Sequence, residues 1–420
     1  MNDPNANRPG YKKTEVGWIP VEWKVSQIGA VCEQPRSGYS ANAADFPASE
    51  DSVGVLKLSC IDAGRFRSEC NKAVVSRSEQ ARLTTPVTAN SIIISRSNTE
   101  ELVGVATFVA ADHANLFLSD LMWQLIPRAG MGSSMRWFAF LLGSRPLRNR
   151  IVASANGTSG SMKKITKPSL MALPIPLPPQ GEREKIASIL STCDDVIERT
   201  RELIAAKREQ KKGLMQQLLT GKRRLRGYRD PWSQPYLGDL AEDVARRNNG
   251  KLGKDRLYAV TKAEGLVPMR AHVMGESVER CKVVERDWFA YNPMRINVGS
   301  LALWEGPDEV MVSGDYVVFR CFDRKLAPPY FNHLRRTGRW EHFVRNSGNG
   351  SVRIRLYFDD IAEFRFPCPG IDEQRAIASV LTAADAEIAA LERKLTALRE
   401  QKRGLMQRLL TGAIRVGVGR

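Results

Sequence analysis

The sequence predicts an α+β protein in which two globular α+β domains are separated by two long helices that form an antiparallel coiled coil. The stretch EQKKGLMQQLLTG at residues 209–221 recurs as EQKRGLMQRLLTG at residues 400–412, and a helical pattern of apolar residues precedes each copy. Before each helix lies a longer segment with short apolar runs, such as NSIIISR at residues 90–96, that are typical of β-strands. Helix-like stretches rich in aromatic residues and arginine follow these strands, so each globular segment mixes both kinds of element.

The repeat extends well beyond these two stretches. Residues 182–221 align with residues 373–412 at a constant shift of 191, and 20 of the 40 positions are identical, which indicates an internal duplication. Apolar residues recur at alternating steps of four and three residues, the seam of a left-handed coiled coil. Because such a seam needs a partner in water, we expect the two helices to pair with each other. The predicted helix-pairing residues are Ile186, Leu190, Ile197, Ile204, Leu214 and Leu218 in the first helix and Ile377, Leu381, Ile388, Leu395, Leu405 and Leu409 in the second.

Polar residues and glycines interrupt this pattern. Thr200, Lys207 and Lys211 occupy seam positions in the first helix, and we expect the lysine stems to extend outward so that their charges reach water. Each helix also contains a glycine, Gly213 or Gly404, at a position where glycine costs about 1 kcal/mol relative to alanine. The repeated glycine is compatible with close approach of another chain's backbone, and equally with a tolerated kink.

The two globular segments differ in sequence but share a frame. Each begins near a tryptophan, in WKVSQIGAVCE at residues 23–33 and in WSQPYLGDLAE at residues 232–242, and each closes on a Gly/Asn/Ser turn with basic neighbours. We therefore expect two domains of similar fold and different surface. The predicted organisation is an N-terminal tail (1–15), a first globular domain (16–175), a first spacer helix (176–222), a second globular domain (223–366), a second spacer helix (367–412) and a C-terminal tail (413–420).

The excess of positive charge indicates a polyanion as partner. The chain has 63 Lys and Arg against 46 Asp and Glu, a net charge of +17. Residues 182–221 and 373–412 together carry only +3, which leaves +14 on the globular parts and tails. We expect nucleic acid to be the partner, the alternative being a charged surface that only maintains solubility.

Composition argues against several other classes of protein. Hydrophobic residues make up 43% and charged residues 26% of the chain, as in globular rather than disordered proteins. No apolar run reaches the roughly 20 residues of a membrane-spanning helix, and the N-terminus lacks a secretory signal. The 7 cysteines have no zinc-like spacing, so we expect free thiols, no metal site and a cytoplasmic location.

Two groups of Arg, Asn and Lys residues are candidates for contact with DNA. Base edges are read by Arg, Lys, Asn and Gln, whereas Arg and Lys also contact phosphates. In both globular segments such residues follow a strand or lie in the late Gly/Asn/Ser turn, where side chains can project. For each of them the alternative is a solvated polar group in a loop. The candidates are Arg96 and Asn98 for bases and Lys163 and Lys164 for phosphates in the first segment, and Asn292, Arg295 and Asn297 for bases and Arg353 and Arg355 for phosphates in the second.

The order domain, helix, domain, helix carries a family resemblance. Together with PLPPQGEREKIASIL (176–190), IDEQRAIASVL (371–381) and the two GLMQ-LLTG endings, it resembles the specificity subunit of type I restriction-modification enzymes over about residues 16–415. The resemblance implies a non-catalytic, DNA-binding subunit whose two target-recognition domains each read half of a split, asymmetric site, with the helices setting the distance between the halves.

The resemblance also implies partner proteins. Two modification subunits would bind S-adenosylmethionine and methylate adenine N6, and two restriction subunits would use ATP and Mg²⁺ to translocate and cleave DNA. No cofactor is expected on this chain itself.

Motifs for catalysis by the chain itself are weak. Adenine methyltransferases use an Asp, Asn or Ser before Pro-Pro-Tyr/Phe to accept a hydrogen bond from the target amino group, and the nearest match, APPY at 327–330, has no such acceptor. The rival hypothesis is a self-sufficient Mg²⁺-dependent nuclease in which Asp308 and Asp323 hold the metal and Lys325 steadies the attacking water.

Two further expectations concern polar residues outside these sites. We expect His333 and His342 to be surface groups on a helix. We expect the basic run KRRLRGYR at residues 222–229 to be a linker whose charges are solvated.

Overall fold

Each globular segment packs together with one half of each long helix. The first unit comprises residues 1–199 and 395–420, and the second comprises residues 200–394. The domain boundaries expected from the sequence follow chain order and stay predictions, whereas the units divide both long helices near their middle. The computed structural model describes residues 5–62, 65–157, 162–270, 277–347 and 355–417.

The first unit contains short strands and four short helices in its described residues, followed by the start of a long helix. The strands are β1 (Tyr11–Thr14), β2 (Gly17–Pro20), β3 (Lys24–Gln27), β4 (Arg36–Ser37), β5 (Gly54–Leu56), β6 (Ile61–Asp62), β7 (Arg65–Phe66), β8 (Asn71–Ala73), β9 (Pro86–Val87), β10 (Ser91–Ser95), β11 (Ser97–Asn98), β12 (Ala106–Val109), β13 (His113–Phe117), β14 (Met122–Leu125), β15 (Lys163–Lys164) and β16 (Pro174–Leu177). The helices are α1 (Arg77–Gln80), α2 (Met135–Leu142), α3 (Arg145–Ala153), α4 (Lys167–Met171) and the long α5 (Gln180–Leu218).

Two four-stranded sheets form the centre of the first unit. One is antiparallel with the order β12-β10-β14-β4, and the other has the order β8-β5-β13-β9 with a parallel β5–β13 pair. Strand β10, with the sequence SIIIS, is buried at every position. Because both of its faces are covered, it shows a continuous apolar run rather than alternation.

Both long helices contribute to the core of the first unit. Ile186 and Leu190 of α5 are fully buried in the same apolar cluster as Trp137 and Phe138 of α2. Leu409, close to the end of the second long helix, is 2% exposed in this cluster. The apolar face of each helix is therefore covered by the globular part as well as by the other helix.

The second unit has the same kind of organisation. Its strands are β17 (Ala241–Asp243), β18 (Tyr258–Thr261), β19 (Gly265–Pro268), β20 (Lys282–Val284), β21 (Trp288–Tyr291), β22 (Leu301–Leu303), β23 (Val310–Val312) and β24 (Val317–Cys321). Its helices are α6 (Pro328–Leu334), α7 (Gly338–Asn346), α8 (Phe358–Ala362) and the long α9 (Ile371–Leu410), with α5 contributing its second half.

An antiparallel sheet with the order β17-β24-β21-β22 carries the core of the second unit. The rings of Phe289 and Phe319 stack with centroids 4.9 Å apart, and Phe331 of α6 meets Phe289 edge-on at 5.3 Å. Leu218 of α5 and Leu381 of α9 are buried in the same cluster. These positions correspond, at the shift of 191, to Leu409 and Leu190 of the first unit.

The two long helices run antiparallel in both units. In the first unit Asp194 of α5 pairs with Lys402 of α9 at 2.5 Å. In the second unit Lys207 pairs with Glu387 at 2.7 Å, and Lys211 pairs with Asp385 at 2.5 Å, so residue numbers rise on one helix as they fall on the other. The fold class expected from the sequence, two α+β domains with an antiparallel helix pair, is confirmed.

The expected helix-pairing residues occupy inward positions along the two helices. Three of them, Leu214, Leu395 and Leu405, are half-buried. The others are buried: Ile186, Leu190, Ile197, Ile204, Leu218, Ile377, Leu381, Ile388 and Leu409.

One of the two seam lysines does not behave as expected. Thr200 is buried, at 7% exposure. The ammonium groups of Lys207 and Lys211 pair with carboxylates of α9, and the Lys207 side chain is 29% exposed whereas the Lys211 side chain is only 13% exposed. The expectation of outward-pointing lysines was wrong for Lys211, because a single-helix pattern does not show the acidic residue that the opposite helix places across the seam. None of the helices in the described part of the chain combines the length and apolar character needed to span a membrane.

Candidate nucleic-acid interface

The candidate DNA-contact residues of the first unit lie on two adjacent strands. Strand β11 pairs antiparallel with β15, which sets Ser97 opposite Lys164 and Asn98 opposite Lys163. The pairing continues next to these strands, where the Ile165 amide donates to the Arg96 carbonyl at 3.0 Å. The fold therefore brings together four candidates that the sequence separates into two distant pairs, and we call Arg96, Asn98, Lys163 and Lys164 the first corner.

Side-chain contacts distinguish the members of the first corner. The guanidinium of Arg96 lies 5.9 Å from the centre of the Trp123 ring, which orients it without using its N–H donors. The side-chain oxygen of Asn98 accepts a hydrogen bond from the Thr99 amide at 2.8 Å, and its side-chain nitrogen donates to the Ser95 hydroxyl at 3.5 Å, which leaves one N–H for a ligand. Lys164 is exposed and has no side-chain partner among the described residues. Lys163 is less free, since its ammonium donates to the Gly157 carbonyl at 3.4 Å.

The candidates of the second unit meet in the same way. The Leu356 amide donates to the Pro293 carbonyl at 3.2 Å, which brings Arg355 beside the turn that follows β21. Leu356 and Arg355 correspond, at the shift of 191, to Ile165 and Lys164 of the first corner. We call the turn residues Asn292, Arg295 and Asn297 together with Arg355 the second corner. Arg353 lies outside the residues that the structure describes.

The turn of the second corner is built from local backbone contacts. The side-chain oxygen of Asn292 accepts from the Met294 amide at 2.9 Å, and the Arg295 carbonyl accepts from the Ser300 amide at 3.1 Å. The turn ends at Gly299, whose φ of +94° disfavours a side chain. These contacts leave Arg295 and Asn297 exposed.

The arginines of the second corner carry free positive charge, unlike two other arginines of the same unit. Arg246 pairs with Glu285 and Glu309, and Arg320 pairs with Glu242 at 2.7 Å. By contrast, neither Arg295 nor Arg355 has a side-chain partner within the part of the chain that the structure describes. An unpaired guanidinium can donate bidentate hydrogen bonds to a base edge or a phosphate without first losing an internal ion pair.

Each corner also contains an exposed methionine that the sequence analysis did not single out. Met162, beside Lys163, is 48% exposed, and Met294, beside Arg295, is 49% exposed. Apolar side chains among phosphate-binding groups can contact thymine methyl groups or base steps. The signal available in the sequence was only their position next to the basic residues.

The residues of the rival nuclease hypothesis have other partners. A carboxylate oxygen of Asp308 accepts from Arg256 at 3.0 Å, and the Lys325 ammonium donates to the Asp239 carbonyl at 3.3 Å. Over the described ranges, no group of three or more His, Cys, Asp or Glu side chains is placed to hold a metal ion. No observation on these residues, including Asp323, favours the nuclease hypothesis.

Expectations about surface groups were wrong for two residues, His333 and Arg224, whereas His342 and most of the basic run 222–229 are exposed as expected. His333 is 3% exposed and its Nε2 lies 3.1 Å from the hydroxyl of Thr382 on α9, because α6 packs against the long helix. Burial lowers the pKa of His333 to about 4, and the nearby Lys211 ammonium adds to the effect. Within the basic run 222–229, Arg224 is not solvated but forms a two-nitrogen contact with Glu373 at 2.6 and 2.7 Å.

The chain is similar in sequence to several known proteins. A family model described as "Type I restriction modification DNA specificity domain" matches residues 20–206. The chain is 24% identical over 428 residues to a protein of Methanocaldococcus jannaschii named as a candidate specificity subunit of the type I restriction enzyme MjaX, with 97% of each covered. It is 25% identical over 185 residues to the type I restriction enzyme EcoEI specificity subunit of Escherichia coli, with 42% of this chain and 30% of that protein covered.

Solved structures share the fold. The S subunit of a type I restriction-modification system from M. genitalium matches with a TM-score of 0.60 at 16% identity, over 98% of this chain and 99% of that one. A chain from a structure on complex assembly and conformational transition of the type I R-M system matches with a TM-score of 0.51 at 16% identity, over 94% and 99%. By the family model and the relatives, the chain is similar to the specificity subunits of type I restriction-modification systems, and the solved structures show that it shares their fold.

Proposed function

We propose that this chain reads a bipartite, asymmetric DNA site without catalysing any reaction, one half-site being read by each corner. The observation that supports this most directly is the equivalence of the two corners. The same backbone contact, Ile165 to Arg96 in one unit and Leu356 to Pro293 in the other, holds unlike side chains at matching places. Equivalent positions with different chemistry suit two half-sites of different sequence.

The side chains of the corners match the chemistry of DNA. Arg96 and Arg295 carry planar guanidinium groups that can donate to O6 and N7 of guanine. The Asn297 side chain can donate one hydrogen bond to adenine and accept another from it. Lys164 and Arg355 carry free charges suited to phosphates, which fix register on the duplex rather than specify sequence. Base recognition would therefore depend on the arginine and asparagine side chains, and salt-sensitive affinity on the other two.

We further propose that two copies of one modification subunit dock on the repeated ends of α5 and α9. Glu209, Gly213 and Gln216 follow one another at steps of four and three residues on α5, and the equivalent Glu400, Gly404 and Gln407 do so on α9. A Cβ added at either glycine would meet nothing within 4 Å. Half of the aligned positions differ between the two copies of the repeat, but these outward-facing residues are identical in both. Their identity supports two docking sites of one kind. In this proposal S-adenosylmethionine is bound by the modification subunits, and ATP and Mg²⁺ by two restriction subunits.

Site-specific binding tests the first part of the proposal. Adenine methylation would be mapped across the genome of cells with and without this gene, and duplexes carrying the motif that disappears would be titrated with the purified chain and its modification subunit. We expect a split motif and a preference for it over scrambled duplex. Binding that ignores sequence would contradict the proposal.

Insertion of one heptad tests whether the helices act as a spacer. Seven residues that continue the seam pattern would be inserted between residues 195 and 205 of α5, with a matching insertion in α9 between residues 386 and 396. Because each helix lengthens by about 10.5 Å, we expect the same half-sites separated by a longer spacer. An unchanged spacer in a folded, methylation-competent variant would refute this role.

A further inference from the structure

A buried carboxylate lies at the start of α5 in the first unit. Glu182 is 1% exposed and accepts a hydrogen bond from the indole nitrogen of Trp23 at 2.8 Å. It also accepts from two nitrogens of Arg415, at 2.8 and 3.1 Å. Arg415 follows the end of α9, so this contact joins the beginning of one long helix to the end of the other.

The second unit contains the same arrangement with different residues. Glu373, in the first turn of α9, is 3% exposed and accepts from the indole nitrogen of Trp232 at 3.0 Å. Arg224, which follows the end of α5, donates two hydrogen bonds to it at 2.6 and 2.7 Å. The shift of 191 that relates the helices also relates the two glutamates and the two arginines. We call each Glu–Trp–Arg group a clasp.

Backbone geometry supports both clasps. Gly221 and Gly412 follow α5 and α9 with φ of +72° and +73°, a left-handed conformation that lets the chain turn back toward the glutamate. The position of a Cβ at Gly221 is 3.3 Å from the Trp232 ring, and at Gly412 it is 2.6 Å from Pro20 and 3.2 Å from the Trp23 ring. A side chain at either position would therefore disturb the residues that hold the clasp.

A second pair of polar contacts lies further along the seam. Lys402 pairs with Asp194 in the first unit, and Lys211 pairs with Asp385 in the second, both at 2.5 Å. These pairs are again related by the shift of 191. The lysine side chains are 14% and 13% exposed, so neither ammonium can find full hydration if its carboxylate moves away.

Together with the packing of both helices into the globular cores, these polar contacts favour one alignment of α5 and α9. The apolar seam by itself does not distinguish alignments that differ by one heptad. If one helix slides by seven residues, about 10.5 Å, seam residues face seam residues again. The clasps and the Lys–Asp pairs would be broken by the same movement, and a buried carboxylate would lose the groups that compensate its charge. Buried polar groups at helix seams are known to specify register in this way.

We infer that the two clasps, Glu182–Trp23–Arg415 and Glu373–Trp232–Arg224, are positioning residues that hold the helix register and thereby limit DNA recognition to one spacer length. This inference rests on the proposed reading of a bipartite site. The glutamates and arginines touch no DNA in this account; they act through the alignment of α5 and α9.

The test compares spacer lengths in cells that carry the intact chain or a clasp variant. Glu182→Gln and Glu373→Gln keep the size of the side chain but remove its charge, and Glu387→Gln, at an interhelical pair whose glutamate is 50% exposed, is the matched control. Methylated adenines are mapped genome-wide, and each site is sorted by the number of base pairs between its half-sites. We expect the fraction of sites with a shifted spacer to rise about tenfold in the clasp variants, the change in an equilibrium typical of losing a charged hydrogen bond. The control should match the intact chain.

If the glutamine variants do not fold, two arginine variants replace them in the experiment. Arg224→Lys and Arg415→Lys keep the charge but lose the two-nitrogen contact, and the same broadening of spacer length is expected. A folded clasp variant that methylates only sites of the original spacer overturns the inference, and so does one that loses methylation at every spacer length. A motif from the intact chain that is not split would instead overturn the proposed function, and this inference with it.

Discussion

The free charges of Lys164 and Arg355 provide the sharpest test of the candidate interface. Both side chains are exposed and have no partner among the described residues, so Lys164→Ala and Arg355→Ala leave no buried group unpaired. We therefore expect the free energy of unfolding to change by less than about 0.5 kcal/mol in either variant. Any loss of binding then reports on contact with DNA rather than on folding.

The expected magnitude follows from counterion release. Each phosphate contact contributes about 0.9 to the slope of log affinity against log salt concentration. Raising the salt concentration from 50 to 200 mM weakens binding by some factor for the intact chain. That factor should be about 3.5 times smaller for each single variant and about 12 times smaller for the double variant. Fluorescence anisotropy with a labelled duplex that carries the methylated motif measures these slopes.

A matched control separates position from net charge. Arg320→Ala removes the same charge from the second unit, but its guanidinium pairs with Glu242 at 2.7 Å. We expect the salt slope of this variant to stay within about 0.3 of the value for the intact chain, because a paired arginine releases few counterions. A double variant of Lys164 and Arg355 whose slope equals that of the intact chain would refute the assignment of both residues.

Three further predictions concern stability and docking. Leu381→Ala, in the core of the second unit, should destabilise the protein by about 2–5 kcal/mol in urea titrations, whereas Leu203→Ala, at a position 44% exposed, should cost less than about 0.5 kcal/mol. The pKa of His333 is lowered to about 4 in the folded state, so the unfolded chain binds the proton more tightly. The stability of the fold should therefore decrease as pH drops from about 6.5 to about 4, and His333→Gln should flatten this pH dependence in thermal melts. Gly404→Ala should raise helix stability by about 1 kcal/mol in the same melts while weakening capture of the modification subunit; unchanged capture would contradict the proposed docking face.

The long helices could be predicted because their signal is local. Apolar residues at steps of four and three describe one face of one helix, and the repeat of that pattern in residues 182–221 and 373–412 supplies the partner. Predicting which polar residues of the seam would be solvated failed for Lys211, because its partner, Asp385, lies on the other helix. A pattern read along one helix carries no information about the residue that faces it.

The first corner likewise could not be predicted, because its residues come from distant parts of the sequence. Arg96 and Lys164 could each be identified from the sequence as a basic residue that follows a strand or lies in a turn, yet nothing in the chain between them predicts that β11 would pair with β15. Their meeting depends on how the sheets and helices of the unit pack. The dependence of Arg96 on the Trp123 ring, similarly, follows from packing and not from spacing.

By itself, the sequence determined the α+β class, the duplicated helices and their antiparallel pairing, because hydrophobic periodicity and self-similarity are written into consecutive residues. Only the tertiary structure decided that Glu182 meets Arg415 and that Glu373 meets Arg224, contacts that join residues far apart in the chain. A buried carboxylate must find its compensating charge wherever the fold provides one, and that place is set by packing in three dimensions rather than by neighbours in sequence.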